Sequence, residues 1–136
     1  MRAAILISVL FAFILGAGLA AVKKDVTGAP ALATGKQLFV AHCASCHGSD
    51  GKGQHAPAGL RSAPPDLTTL TLRNNGAFPF ARVSGTISGD LSRPEFVNRQ
   101  MPCFGLILHD ADDLNRDESH TKIASLTEYI RSLQVK

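Results

Sequence analysis

Apolar side chains recur at helical spacing in the last part of this 136-residue chain. Steps of three and four residues connect Ile123, Leu126, Ile130 and Leu133. Such spacing places the four side chains on one face of a helix, and that face is the one to be buried. The pattern predicts a C-terminal helix, whose start Ser119 or Asp117 is expected to cap.

A second helix is predicted just before residue 43. Thr34 is a suitable N-cap residue for it. Helical spacing relates the positions that follow, namely Gly35, Leu38, Phe39 and His42. The segment 48–53 contains three glycines in six residues, which indicates a loop that ends this helix.

The central part of the chain predicts two shorter helices between irregular segments. Asp66 is expected to cap a helix over residues 67–73, and another helix is expected to begin at Pro79. Residues 54–65 contain several prolines and residues 91–111 lack periodicity, so both segments are expected to be mainly loop. No segment alternates as a strand would, so the expected fold class is all-α, with loops long enough to wrap around something.

The chain starts with an almost wholly apolar run over residues 3–22. The small residues Gly18 and Ala20 suit cleavage after position 20, so residues 1–20 are predicted to be a signal peptide. The run is also long enough to be an uncleaved membrane anchor that ends near residue 22. Either form implies that the protein is exported.

The rest of the chain is expected to be a flexible leader followed by one domain of nearly balanced charge. Residues 21–33 are small and weakly patterned, which is typical of a leader, and residues 34–136 have the length of one domain. The whole chain has 14 Lys and Arg against 11 Asp and Glu, a net charge of +3. So small an excess gives no reason to expect a nucleic-acid partner.

The chemistry of the chain is concentrated in the sequence Cys43-Ala-Ser-Cys46-His47. This Cys-x-x-Cys-His pattern is the attachment motif of c-type haem. Two thiols three positions apart on a helical turn can each bond to one vinyl group of the same porphyrin, and the adjacent histidine then lies beneath the iron. The motif therefore predicts one haem c per chain, bonded to Cys43 and Cys46 and ligated by His47.

Two other interpretations of this cysteine pair remain open. Half of a zinc site would need further ligands, which His42, His47 and His55 could supply. A dithiol redox motif would open a helix of a thioredoxin-like fold, which requires strands that the pattern does not indicate. The third cysteine, Cys103, is expected to be a buried small apolar residue, or else to form an intermolecular bridge.

Met101 is the candidate for the second axial ligand of the iron. It lies in a segment expected to be irregular, where Pro102 stiffens the backbone. His55 and His109 are the alternatives. His/Met ligation leaves no open position on the iron and raises its reduction potential, so the expected function is single-electron transfer and not catalysis. An open distal site would instead indicate a small haem enzyme, such as a peroxidase, or a gas-binding protein.

These features together resemble a class I, mono-haem bacterial cytochrome c. The resemblance covers residues 34–134 and rests on Gly35-x-x-x-Phe39, Cys43-Ala-Ser-Cys46-His47-Gly48, Met101-Pro102 and a terminal helix with Tyr129. It implies a small all-α cytochrome c fold wrapped around one covalently bound haem, with the iron ligated by His47 and Met101. It also implies that the first and last helices cross at the glycine and the two aromatic residues.

The resemblance has further implications for the surroundings of the haem and for the partners. In this family a proline carbonyl commonly accepts the ring N–H of the proximal histidine, and the candidates are Pro57, Pro64 and Pro65. Arg73 is expected either to meet a haem propionate or to be a solvated surface residue. The expected partners are redox proteins of a respiratory chain, in the periplasm or at the inner membrane that the N-terminal segment would anchor.

Overall fold

The computed structural model is built from helices joined by long irregular segments, and it describes residues 28–54, 57–89, 100–110 and 116–136. The helices are α1 (Ala29–His42), α2 (Ala44–His47), α3 (Phe80–Ser88), α4 (Phe104–Asp110) and α5 (Arg116–Ser132). Two short 3-10 turns, Leu67–Thr69 and Leu72–Asn74, lie between α2 and α3. The described residues include no strand, which confirms the expected all-α fold.

The first and last helices, α1 and α5, cross at a glycine. A Cβ atom at Gly35 would overlap the carbonyl oxygen of Ser125 and would lie 2.8 Å from the Cβ of Tyr129. Beside this contact, the fully buried ring of Phe39 lies 5.4 Å from the ring of Tyr129, measured between centroids. The expected crossing is confirmed, and it depends on the absence of a side chain at residue 35 because the two backbones touch there.

The core combines the apolar faces of four helices. Its buried members are Phe39, Cys43, Val83, Ile87, Phe104, Leu108, Ile123, Leu126 and Ile130. The predicted stripe of the C-terminal helix is buried here, except that Leu133 is only partly buried. Cys43 belongs to this cluster, so the motif begins at the edge of the core.

Helix α1 begins earlier than the sequence predicted. It starts at Ala29 with Pro30 in its first turn, where the fixed φ of proline favours a helix start. Thr34 lies inside the helix, and its hydroxyl donates to the Pro30 carbonyl at 3.0 Å. The prediction of Thr34 as N-cap was therefore wrong, and residues 29–33, which the sequence assigned to the leader, are helical.

The central region agrees with the prediction only in part. The Asp66 cap is confirmed, since its carboxylate accepts from the Thr68 N–H at 2.7 Å, but two 3-10 turns replace the single helix expected over residues 67–73. The helix expected to begin at Pro79 is confirmed as α3, with Pro79 as its N-cap residue.

Two predictions on the C-terminal half were wrong. Helix α4 lies within residues 91–111, which were expected to be mainly loop. Helix α5 begins at Arg116, so Asp117 and Ser119 lie inside it and do not cap it. Ser119 is buried, and helical phase turns it toward the core instead of toward the free N–H groups of the first turn.

The end of the chain is bonded back to the turn that follows Asp66. The side-chain amide of Gln134 donates to the carbonyls of Leu67 at 2.7 Å and Ile130 at 2.9 Å. Its side-chain oxygen accepts from the Thr71 N–H at 2.9 Å. One side chain therefore joins the 3-10 region to the C-terminal end of α5.

The predicted signal peptide or anchor and most of the leader lie outside the described residues, as do residues 90–99 and 111–115. The division of the N-terminal segment therefore stays a prediction. Within the described part of the chain, every helix is too short or too polar to cross a membrane.

Candidate haem site

The two cysteines of the motif lie on one tight turn at the end of α1. Cys43 ends that helix, and its carbonyl accepts from the N–H groups of Cys46 at 3.1 Å and His47 at 2.9 Å. Neither cysteine forms a disulfide; Cys43 is buried and Cys46 is partly buried. Burial, and to a smaller extent the neighbouring Cys46, raises the pKa of the Cys43 thiol to about 11, so this thiol is protonated at neutral pH.

The imidazole of His47 is buried and points one nitrogen at a proline carbonyl. Its Nδ1 lies 3.4 Å from the carbonyl oxygen of Pro65. Burial lowers the pKa of His47, and the Pro65 carbonyl opposes that effect, so the ring is neutral at neutral pH. An N–H directed at Pro65 leaves the lone pair of Nε2 available to a metal. Of the three candidate prolines, Pro65 is the one that the structure brings to His47.

The glycine-rich loop after the motif brings Pro65 to this position. The Gly53 N–H donates to the His47 carbonyl at 2.7 Å, and the Leu67 N–H donates to the Gly51 carbonyl at 2.8 Å. Gly53 has a φ of +70°, and a Cβ there would overlap the carbonyl of Pro64. Glycine is therefore needed at this position both for its conformation and for its close approach to the proline segment.

Met101 is partly buried and packs against the core cluster to which Cys43 also belongs. It lies in an irregular segment three residues before α4. The residue before it, Gln100, accepts a hydrogen bond from the Arg61 N–H at 2.6 Å. Met101 thus lies at the edge of the apolar core, and its preceding neighbour is bonded to a distant segment.

The competing histidines are not brought into the core where the structure describes them. His42 and His120 are exposed, and the ring of His42 packs on Phe104 with centroids 5.9 Å apart. His55 and the side chain of His109 lie outside the described residues, so their candidacy as distal ligands stays untested.

Two further residues from the sequence analysis have defined surroundings. The guanidinium of the exposed Arg73 donates to the carbonyl of Asp66, so this side chain holds the turn next to Pro65. Cys103 is partly buried and forms no disulfide, and its carbonyl accepts from the N–H groups of Leu106 at 3.2 Å and Ile107 at 3.3 Å in α4. Cys103 was expected to be a buried small apolar residue, and the structure buries it only in part; the alternative of an intermolecular bridge stays a prediction.

Sequence reasoning missed the contributions of Gln100 and Phe104. Phe104 is 6% exposed and belongs to the core, and its spacing of four residues from the buried Leu108 was a usable signal. The hydrogen bond from Arg61 to Gln100 joins residues 39 positions apart, and no local sequence pattern predicts such a pair.

The residues of the motif fit a covalent haem better than they fit a zinc ion. Among the described residues, no group of three or more His, Cys, Asp or Glu side chains could hold a metal ion. Two reduced thiols on one turn and a single buried imidazole supply instead what a porphyrin needs, two points of covalent attachment and one nitrogen ligand.

Comparison with known proteins identifies the family of this chain. Searches of the curated proteins and of the solved structures found no significant match. The family model described as Cytochrome c matches residues 32–134, which is most of the chain. The protein therefore belongs to the cytochrome c family, whose members carry covalently attached haem c with its iron.

Proposed function

We propose that this protein is a single-electron carrier whose haem c is bonded to Cys43 and Cys46 and ligated by His47 and Met101. Membership of the cytochrome c family indicates electron transfer through haem, and domains of this family are typically carriers and not enzymes. The finer proposal, that both axial positions are occupied by these two side chains, is supported by their surroundings in the chain.

The observation that carries the proposal is the environment of His47. Its imidazole is buried, neutral and directed by the Pro65 carbonyl, so that one nitrogen is left for the iron. A hydrogen bond from the other ring nitrogen to a carbonyl fixes the tautomer and raises the basicity of a ligating histidine. The bound haem would supply an iron that takes up and gives back one electron.

Met101 is the described side chain best suited to the opposite position. A thioether is a soft ligand that favours ferrous iron, and it binds weakly enough that its backbone must be held in place. Pro102 follows it directly, and Met101 itself packs against the apolar core, which limits the access of water. A centre closed on both sides can exchange electrons with little rearrangement and leaves no position for a substrate.

The partners that we propose are redox proteins of a respiratory chain, met in the periplasm or at the inner membrane. The support is the predicted signal or anchor segment and the family's covalent haem. Lys36 and Lys52 are exposed near the motif and would contribute to a transient contact. The small net charge supports no nucleic-acid partner.

The test of ligation is the substitution Met101→Ala. We expect the ferric wild-type holoprotein to show the weak sulfur-to-iron absorption band and the variant to lack it, because alanine offers no donor atom. The matched control is Leu106→Ala, which removes an exposed apolar side chain (64% exposed) on the adjoining helix. An unchanged spectrum in Met101→Ala would instead assign the ligand to a histidine such as His55 or His109.

A further inference from the structure

One hydrogen bond connects the two sides of the proposed haem site directly through the protein. The Arg61 N–H donates to the side-chain oxygen of Gln100 at 2.6 Å, across 39 positions of sequence. Arg61 lies on the segment that leads to Pro65, and Gln100 immediately precedes Met101. The bond therefore joins the segment that supports His47 to the segment that supplies the proposed methionine ligand.

The Arg61 end of this bond belongs to an anchored segment. Four residues later, the Pro65 carbonyl faces His47 at 3.4 Å. The preceding carbonyl, that of Pro64, lies against Gly53, and the Leu67 N–H is bonded to Gly51 at 2.8 Å. Two consecutive prolines further limit the motion of this backbone. Arg61 thus lies within four residues of the point at which this segment contacts His47.

The other end of the methionine segment is fixed by packing. Phe104 is 6% exposed and begins α4, and a Cβ at Gly105 would lie only 2.5 Å from the Ser88 carbonyl oxygen at the end of α3. Met101 therefore lies between two fixed points, Gln100 on one side and the start of α4 on the other. Gln100 is the nearer of the two, since it directly precedes Met101, whereas α4 begins three residues after it.

We infer that Gln100 is a positioning residue for Met101, holding the methionine segment to the His47 side of the haem through Arg61. This inference rests on the proposed ligation by Met101. Loss of the bond lets the methionine leave the iron more often, and an added ligand then competes more successfully. The apparent affinity of such a competitor rises in proportion to the fraction of protein with an open iron position.

The test is titration of the ferric holoprotein with imidazole. Binding is measured by the loss of the sulfur-to-iron absorption band. Gln100→Leu removes the acceptor and keeps most of the volume, whereas Gln100→Glu keeps an acceptor for the Arg61 N–H. Gln37→Leu makes the same change at an exposed position of α1 and is the control. Urea unfolding of each variant shows whether the substitution destabilises the fold by more than the loss of this one bond.

We expect Gln100→Leu to bind imidazole about five-fold more tightly than the wild type, the equivalent of one hydrogen bond of about 1 kcal/mol. Gln100→Glu and Gln37→Leu are expected to stay within about two-fold of the wild type on the same reasoning. The free energy of unfolding of Gln100→Leu in urea should fall by no more than about the same 1 kcal/mol, because unfolding breaks the same bond.

Two results would overturn the inference while leaving the proposed ligation intact. One is an imidazole affinity of Gln100→Leu equal to that of the wild type; the other is an equal increase in Gln100→Leu and Gln100→Glu, since the acceptor would then be irrelevant. Absence of the sulfur-to-iron band in the wild type would refute the ligation by Met101 itself, and with it this inference.

Discussion

The two sides of the proposed haem site are held by different kinds of interaction. On the His47 side, residues 43–53 are connected by closely spaced backbone hydrogen bonds, and the Leu67 N–H donates to this loop at Gly51. On the other side, Met101 is held by apolar packing and by one hydrogen bond that the Arg61 N–H donates to the side chain of the preceding residue, Gln100. The first side is held by several contacts within one stretch of chain, and the second depends on contacts between segments that are farther apart in sequence.

This contrast suits the chemistry proposed for each ligand. The histidine is a strong ligand and directly follows the cysteines that would bond the haem. Its position relative to the haem is therefore determined when the motif folds. The thioether is a weak ligand that arrives from a remote part of the chain, and its occupancy depends on how well that part is packed. We therefore expect substitutions on the first side to affect mainly the stability of the fold, and substitutions on the second to affect mainly the occupancy of the iron.

The largest effect on stability is expected from Gly53→Ala. The new Cβ would overlap the Pro64 carbonyl and would be strained at a φ of +70°. We expect a loss of about 2–3 kcal/mol in the free energy of unfolding, measured with urea on the holoprotein.

Gly76→Ala is the matched control for this change. Gly76 has a similar φ of +84°, but a Cβ there would meet no atom within 4 Å. The control should lose only about 1 kcal/mol, from backbone strain alone. Equal losses in the two variants would show that the contact between Gly53 and the proline segment contributes nothing.

A smaller loss is expected on the methionine side from Gly105→Ala. Its Cβ would lie 2.5 Å from the Ser88 carbonyl oxygen, so α4 must move away from α3. The expected loss is about 1–2 kcal/mol, because the helix propensity of alanine offsets part of the clash. Since α4 begins three residues after Met101, the sulfur-to-iron band should weaken as well.

The matched control here is Gly85→Ala in the interior of α3. A Cβ at Gly85 would meet nothing within 4 Å, so the variant should gain up to about 1 kcal/mol from helix propensity. An unweakened sulfur band in Gly105→Ala would contradict the dependence of Met101 on the packing of α4.

The smallest effect is expected at Asp66, next to Pro65. The Thr68 hydroxyl and then the Thr68 N–H, both at 2.7 Å, hold the pKa of this carboxyl below its usual range. The folded protein therefore binds this proton less readily than the unfolded chain does, so the carboxylate stabilises the fold above the unfolded pKa. That contribution is lost as the pH falls through the lower, folded pKa.

The corresponding measurement compares the wild type with Asp66→Asn in urea at neutral pH and below about pH 4. The difference in unfolding free energy should be largest at neutral pH and should shrink in acid. Thr68→Val, which removes the hydroxyl donor, should weaken the pH dependence of the wild type. A difference between wild type and Asp66→Asn that stays constant over this range would contradict a lowered pKa of Asp66 in the folded protein.

Local sequence patterns predicted some features correctly and misplaced others, such as the helix start expected at Thr34. The cap at Asp66 and the helix after Pro79 each follow from residues close together in the chain. The crossing at Gly35, which brings distant residues together, was instead implied by the family resemblance. Helix α4 was missed because its apolar residues do not form one stripe. Leu106 and Ile107 are exposed while Phe104 and Leu108 are buried, so the apolar residues occur on both faces and hide the helical period.

The arrangement around the proposed site was predictable only in part. The motif itself specifies the thiols and the imidazole, because those residues are contiguous. The choice of Pro65 among three prolines depends on how the glycine loop folds back, and the bond between Arg61 and Gln100 joins segments distant in sequence. Contacts of this kind arise from chain geometry that no single pattern encodes.

The central claim, an iron closed by His47 and Met101, is tested most directly by adding CO to the ferrous wild-type holoprotein and following its absorption spectrum. We predict no rapid spectral change in the wild type and rapid CO binding in Met101→Ala, which opens the distal position. Rapid CO binding by the wild type would contradict the closed centre and would favour a haem enzyme or a gas-binding protein.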